Sequence, residues 1–365
     1  MLGGKGLDRL KDKLQAPLRF LYRLARLMSI ELRNHVRLSI WHTWRAFKNG
    51  FFTFNYRLFG LETSGNPKDF VSDYMEFVKI LAINGEYDAI LRNKFVFPVL
   101  MEKYGMPTPK IHAVIRQGIL YRTDTGMRQP WNVFAGSLIA DEKLVLKPIK
   151  GSHGYGVMVI QKGRLHFTVN GKRIERAELA KLISMFDDYM VSEFIAQCRH
   201  SADLYPDTVN TIRLVTCLHP KNGRAFIAGA VQRIGTSRSY PVDNFKGGRG
   251  GLSAPVDLKT GRLGQAASAS EKFEVTWHKR HPETGAPIEG TTVHHWKEIK
   301  SGIISLAEKL VTAPYIGWDV APTEDGYCVI EANSTPGTSV MQVHGPLLTS
   351  EKLKQFYRFH KIIKT

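Results

Sequence analysis

Gly317-Trp-Asp-Val-Ala-Pro-Thr-Glu-Asp-Gly-Tyr-Cys-Val-Ile-Glu-Ala-Asn333 decides how the rest of the chain is read. Two apolar runs flank a Pro-Thr-Glu-Asp-Gly cluster, the pattern of two strands joined by a turn. The midpoint of positions 319 and 331 is Asp325, inside that cluster, so a hairpin brings Asp319 almost opposite Glu331. Glu331 and Asn333 are two apart on one strand and share a face. Two carboxylates and an amide oxygen then converge, a donor set suited to hard cations such as Mg²⁺. Two solvated acids beside an ordinary hairpin fit the same residues, and these three positions alone leave both readings open.

Working backward, the segment from Leu144 to Ile160 places a glycine-rich loop between two apolar runs. Gly151, Gly154 and Gly156 would let backbone N–H groups approach phosphate oxygens, Lys147 on the incoming strand could neutralise them, and Ser152 adds a hydroxyl. No Gly-Lys-Ser/Thr opens a helix, which excludes a Walker A loop, and a strand follows where a Rossmann loop needs a helix. An ordinary glycine-rich hairpin turn is the competing reading. Between the two segments, Asn210-Thr-Ile-Arg-Leu-Val-Thr sets Arg213 in an apolar strand, a place for a permanent charge only if an anion meets it. A phosphate suits the planar fork of arginine; a structural ion pair is the alternative. Arg233, in Ala-Val-Gln-Arg-Ile-Gly, repeats the argument on the next strand.

The 365 residues allow two or three structural units with sizeable cores. Cys198, Cys217 and Cys328 lack the paired spacing of a zinc or redox site and read as buried thiols in a reducing compartment. His278, His281, His294 and His295 lack an i, i+4 pair or clustered thiols and read as solvated or capping histidines. No run of eighteen apolar residues and no signal peptide is apparent, so a cytoplasmic location is expected. Of the formal charge of +18, residues 1–60 carry twelve Lys or Arg against three acids. From Pro17, the residues Leu18, Leu21, Ala25 and Met28 recur at helical spacing with Arg19, Arg23 and Arg26 between them, a basic amphipathic helix suited to an anionic surface. No nucleic-acid recognition motif appears.

Helices are expected over 1–60 and from Pro67 to about Tyr104, where Tyr104-Gly-Met-Pro-Thr-Pro starts an extended segment. Short strands follow over 138–160, a helix over 178–186, and strands over 189–195, 211–218 and 224–234. A glycine-rich loop spans 244–253, and a helix over 296–311 precedes the opening hairpin.

Taken in order, these residues resemble the ATP-grasp superfamily, and within it the sugar-transfer associated ATP-grasp proteins related to alpha-L-glutamate ligases, over roughly residues 65–345. The resemblance implies an α+β ATP-grasp fold, two α+β lobes gripping ATP, with a basic helical extension at the N-terminus. It divides the chain into that extension (1–60), a helical region (61–140), a small lobe with the glycine loop (141–192), a large lobe with the metal site (193–346) and a C-terminal helix or tail (347–365). By position it makes Lys94 and Lys147 nucleotide lysines, Gly151 to Gly156 with Ser152 a lid over the triphosphate, and Glu193 the acid on the ribose. Asn93 stands before Lys94 where the family often has Asp. Asp319, Glu331 and Asn333 would hold Mg²⁺, and Arg213, Arg233 and Asn244 would act on the phosphates and acceptor, with Gly247, Gly248 and Arg249 beside them. The implied activity is an ATP-dependent carboxylate–amine ligation through an acyl phosphate, on acid and amine substrates linked to sugars. A hydroxyl-phosphorylating kinase and a non-catalytic nucleotide scaffold are the alternatives. Residues 1–60 would add a peripheral contact with the inner face of an anionic membrane, and no nucleic-acid partner is expected.

Overall fold

A computed structural model describes residues 21–151, 154–245 and 250–364. Two antiparallel sheets organise it. The first has eight strands: β1 (Ile111–Arg116), β2 (Ile119–Arg122), β3 (Arg128–Gln129), β4 (Lys143–Pro148), β5 (Met158–Lys162), β6 (Phe167–Val169), β7 (Lys172–Ile174) and β8 (Tyr189–Glu193). Their spatial order is β3-β2-β1-β8-β4-β5-β6-β7. Because β1 pairs with β8, the strands of 111–129 belong to the same sheet as those of 143–193, and the division drawn at 141 falls inside it. Gln117 and Gly118, both at positive φ, form the two-residue turn between β1 and β2. A side chain at Gly118 would run into the backbone carbonyl of Ser184.

The second sheet has seven strands: β9 (Ile212–Leu218), β10 (Ala225–Ile234), β11 (Leu252–Pro255), β12 (Ala266–Ala269), β13 (Val275–His278), β14 (Tyr315–Thr323) and β15 (Gly326–Asn333). Their order is β13-β12-β11-β10-β9-β14-β15. All seven residues of β9 are buried, since the strand has neighbours on both edges and cover on both faces. Ile212 and Leu214 face a core closed by the helix Trp296–Lys309, which contributes Ile299, Ile303 and Leu306 at helical spacing. Each such fully buried aliphatic side chain is worth about 1.5–3 kcal/mol. Val215 and Cys217 face the opposite core with Tyr315, Phe356 and Tyr357. All three cysteines are buried and unpaired.

Two expectations change. The stretch 67–104 breaks into short pieces, including Met75–Lys79, Gly85–Tyr87, Asp88–Arg92 and Val96–Lys103. Asn93 causes the last break, its side-chain oxygen accepting from the N–H groups of Phe95 and Val96 at 3.0 and 3.1 Å. The N-terminal extension is also no appendage over its described part. Helices run over 21–34, Ile40–Lys48 and Thr53–Leu58, and Leu27, Phe51, Phe52 and Tyr56 are buried against Phe70 and Val78. Pro17, Leu18 and Arg19 lie outside the described residues.

His344 anchors the start of the C-terminal segment to β11. Ser253 Oγ donates to Val340 O at 2.7 Å, so His344 Nε2, 3.0 Å away, donates to Ser253. Burial pushes the imidazole down from its ordinary 6.5 to about 4. A depressed base is neutral when folded, so its contribution is full above pH 6.5 and is lost as pH falls toward 4. Denaturant midpoints measured across that window should show a fall on the order of 2 kcal/mol that His344→Gln removes.

Candidate active site

The hairpin β14–β15 and the glycine loop after β4 face one cavity of ≈ 160 Å³, lined by Lys147, Gly151 and Gly154 from one side and Asp319, Ile330 and Glu331 from the other. Register explains the convergence. Glu331 pairs directly with Asp319, and Asp319 on its other edge pairs with Arg213. The three residues therefore form one row across β15, β14 and β9 on a single face, and the period of two returns that face to Asn333.

The anion that meets Arg213 is Asp319. Arg213 Nε and Nη2 donate to its two carboxylate oxygens, the second at 2.8 Å, while Nη1 donates to Pro336 O. The fork expected to hold phosphate is thus committed to an internal ion pair. Arg233 joins it, donating from Nη2 to Asp319 Oδ2 at 3.0 Å and pairing with Asp243 at 3.1 Å. Thr211 Oγ locks the group: it donates to Asp243 at 2.6 Å and accepts from Arg233 Nε at 3.0 Å. Asp319 is 2 % exposed. Burial alone would raise its carboxyl, but Arg213 and then Arg233 override this and hold it far below the usual carboxylate range. Asp243, paired with Arg233 and accepting from Thr211, is raised instead by burial.

Glu331 is held differently. Its neighbours are weak: Asn333 Nδ2 at 3.4 Å and Lys94 Nζ at 3.8 Å. It stands opposite Asp319 in the strand register and lines the cavity. Oxygen donors from Glu331, Asp319 and Asn333 on one face suit a hard cation, and Glu331 is the carboxylate freest to bind it. Among the described residues no group of three or more His, Cys, Asp or Glu is placed to hold a metal ion, and the set here is two carboxylates and an amide.

Lys147 is buried, and among the described residues its ammonium has no hydrogen-bond partner. Burial pushes it down, Glu331 opposes this and Lys94 adds to it. Lys94 donates to Gly151 O at 2.6 Å and so ties the helical region to the glycine loop. Gly154 sits at φ +68 under the loop of the second sheet; a Cβ there would stand 2.9 Å from Val242 and 3.1 Å from Asn244 Nδ2. Asn244 Oδ1 in turn accepts from Arg233 at 3.4 Å. Gly156 closes the loop beside Tyr189. Glu193 ends β8 at the cavity, its carboxylate accepting from Lys110 N at 3.2 Å. Between it and Lys147, Val145, Val157, Val159 and Ile330 make an apolar slot. Ser152, Gly247, Gly248 and Arg249 lie outside the described residues.

The cavity opens into a second of ≈ 1070 Å³ that runs past Arg213, Asn244 and Asn333 to Tyr22, Arg23 and Arg26 of the N-terminal helix. Sequence reasoning missed Thr211 and Asp243, although each is a polar residue beside an identified one, and it gave Arg23 and Arg26 to a surface remote from the site. His281 is structural: Nε2 donates to Gly235 O at 2.8 Å, and Nδ1 accepts from the N–H groups of Glu283 and Thr284.

Among solved structures, the chain is similar to the ATP-grasp ligase PsnB complexed with minimal precursor (13% identity, TM-score 0.38, 72% of this chain and 59% of that one). It is similar to D-alanine–D-alanine ligase from Helicobacter pylori (11% identity, TM-score 0.40, 75% and 59%). It is also similar to the ADP complex of purK, N5-carboxyaminoimidazole ribonucleotide synthetase (12% identity, TM-score 0.38, 69% and 46%). The chain spans about half to three fifths of the length of these structures. No curated protein matches. A family model described as sugar-transfer associated ATP-grasp matches residues 76–357, which is most of the chain and contains both hairpins, and the protein therefore belongs to the sugar-transfer associated ATP-grasp family.

Proposed function

We propose that the chain is an ATP- and Mg²⁺-dependent carboxylate–amine ligase that forms an acyl phosphate and passes the acyl group to an amine. The buried Lys147 ammonium carries this reading. A buried lysine without a hydrogen-bond partner among the described residues is best held as a cation by an anion that binds beside it, and it lines the cavity between glycine loop and acidic row. Lys147 and Lys94 take the phosphates, and Gly151, Gly154 and Gly156 leave backbone N–H groups open to them. The apolar slot takes the base, with Glu193 at the ribose hydroxyls. Glu331, Asp319 and Asn333 hold the magnesium, which when bound neutralises phosphate oxygens.

Arg213 and Arg233 then work chiefly as positioning groups, keeping Asp319 ionised and aimed, while Asn244 sits where acceptor and γ-phosphate meet. The lid belongs to a small lobe of 141–192 completed by the 111–129 strands, and the metal row belongs to a large lobe of 193–346. The larger cavity is the acceptor side, and its wall of Arg23 and Arg26 suits an anionic acid. The family description favours sugar-linked substrates. No group resembling a covalent nucleophile is needed, since alignment and charge neutralisation supply most of the help in phosphoryl transfer. Residues 1–60 place the protein against the inner face of an anionic membrane, and no helix among the described residues is long and apolar enough to cross one.

Incubating the protein with ATP, Mg²⁺, pooled sugar acids and hydroxylamine tests the chemistry. A hydroxamate formed in step with ADP is the expected result. A phosphorylated alcohol would replace the ligase with a kinase, and nucleotide binding without turnover of any pool would leave a scaffold.

A further inference from the structure

The helix Ile40–Lys48 is turned inside out. Ala46 is fully buried, with His42 and Asn49 beside it at helical spacing, whereas the large apolar residues point outward. Ile40 is 91 % exposed, Trp41 61 %, Trp44 50 % and Phe47 52 %. Trp41 and Trp44 stack with centroids 5.1 Å apart, and Lys48 Nζ lies 4.4 Å over the Trp44 ring. A water-facing helix gains nothing from two tryptophans, an isoleucine and a phenylalanine on its outer side; amphipathic rings gain at the boundary between headgroups and acyl chains. The surroundings set the charge of the partner. Residues 21–60 hold seven Lys or Arg and a single acid, Glu31. Glu31 is turned inward, accepting from Thr53 N at 3.0 Å and Thr53 Oγ at 2.6 Å. Arg45 and Lys48 flank the aromatic face one helical turn from Trp41 and Trp44, and Arg37 is exposed just before the helix.

We propose that the outward face of Ile40–Lys48, led by Trp41, Trp44 and Phe47, is a wedge that seats in the interface of an anionic lipid bilayer. The inference rests on the peripheral placement of residues 1–60 and names the element that makes the contact. It also moves that contact away from the helix over 21–34, whose Arg23 and Arg26 line the cleft. The wedge stands on a helix fixed to the body through Ala46 and the neighbouring Phe51 and Tyr56, so binding would hold the enzyme in one orientation.

The test uses the full chain with vesicles of phosphatidylcholine, alone or with roughly one third phosphatidylglycerol. Sedimentation should show binding to the anionic vesicles with a blue shift of tryptophan emission. The triple variant Trp41→Ser, Trp44→Ser, Phe47→Ser should bind about tenfold or more weakly and lose the shift, with its circular dichroism unchanged. Arg45→Gln with Lys48→Gln should weaken binding and reduce its salt dependence while keeping the shift. Undiminished binding by the aromatic variant overturns the wedge and leaves a purely electrostatic contact elsewhere in 1–60. Absence of any vesicle binding by the full chain overturns the peripheral placement itself. A change in molar mass by light scattering when the aromatics are replaced would overturn it in favour of a second copy as the occupant.

Discussion

Glu331→Gln is expected to lower Mg²⁺-dependent ATP turnover by roughly a hundredfold or more while leaving the fold intact. Among the described residues its hydrogen-bond and ion-pair partners stand 3.4 and 3.8 Å away. The amide keeps the shape but removes the charge, and with it the carboxylate best placed for the cation. It also withdraws the carboxylate that supports the buried Lys147, so that lysine shifts further toward its neutral form and its hold on phosphate weakens. Two measurements decide the matter. ADP release titrated with Mg²⁺ should show a loss that high magnesium restores only in part, and the denaturant midpoint should move by less than about 0.5 kcal/mol, as for a surface substitution. Full activity in the variant would remove the metal assignment. A large stability loss would make Glu331 a structural residue.

The part of this site legible from the chain was the part fixed by local geometry. The turn around Asp325 sets Asp319 against Glu331, and alternation then places Asn333. The glycine hairpin is local in the same sense, and so is Arg213 within its apolar strand. What the chain conceals is the partner of that arginine. A carboxylate and a phosphate offer the same oxygens to a guanidinium, and the pairing of β9 with β14 joins segments about a hundred residues apart with no local signal. Two turns were readable and went unread: Gln117-Gly118 and Asn170-Gly171, each with both residues at positive φ. At the N-terminus the limit is of another kind. Helical spacing identified an apolar stripe through Leu21 and Met28, which are exposed, whereas Leu27 faces the core. Periodicity finds a stripe without telling which side the body covers.

Asp319→Asn is expected to unfold more than it inactivates. Asp319 shares its two oxygens between two guanidiniums that are themselves buried, Arg213 and Arg233. The amide supplies one acceptor in place of two charged ones and turns an N–H₂ toward a donor. Arg233 keeps Asp243, but Arg213 is left with the Pro336 carbonyl. Breaking a buried pair by removing one partner costs about 3–5 kcal/mol, because an uncompensated charge remains out of water. The sign with pH follows from the depressed carboxyl: the cluster's contribution is complete above pH 3.8, the ordinary aspartate value, and is lost as pH falls below it. The wild-type protein should therefore lose stability steeply in acid, and the variant should start lower and fall less. Urea midpoints at neutral pH and in acid read both effects. Adding Arg213→Met to Asp319→Asn should recover part of the loss, since it removes the stranded charge. A variant destabilised by less than about 1 kcal/mol, in the range of an exposed pair, would mean that water reaches this row, and Asp319 would then stand beside Glu331 as an equally free ligand.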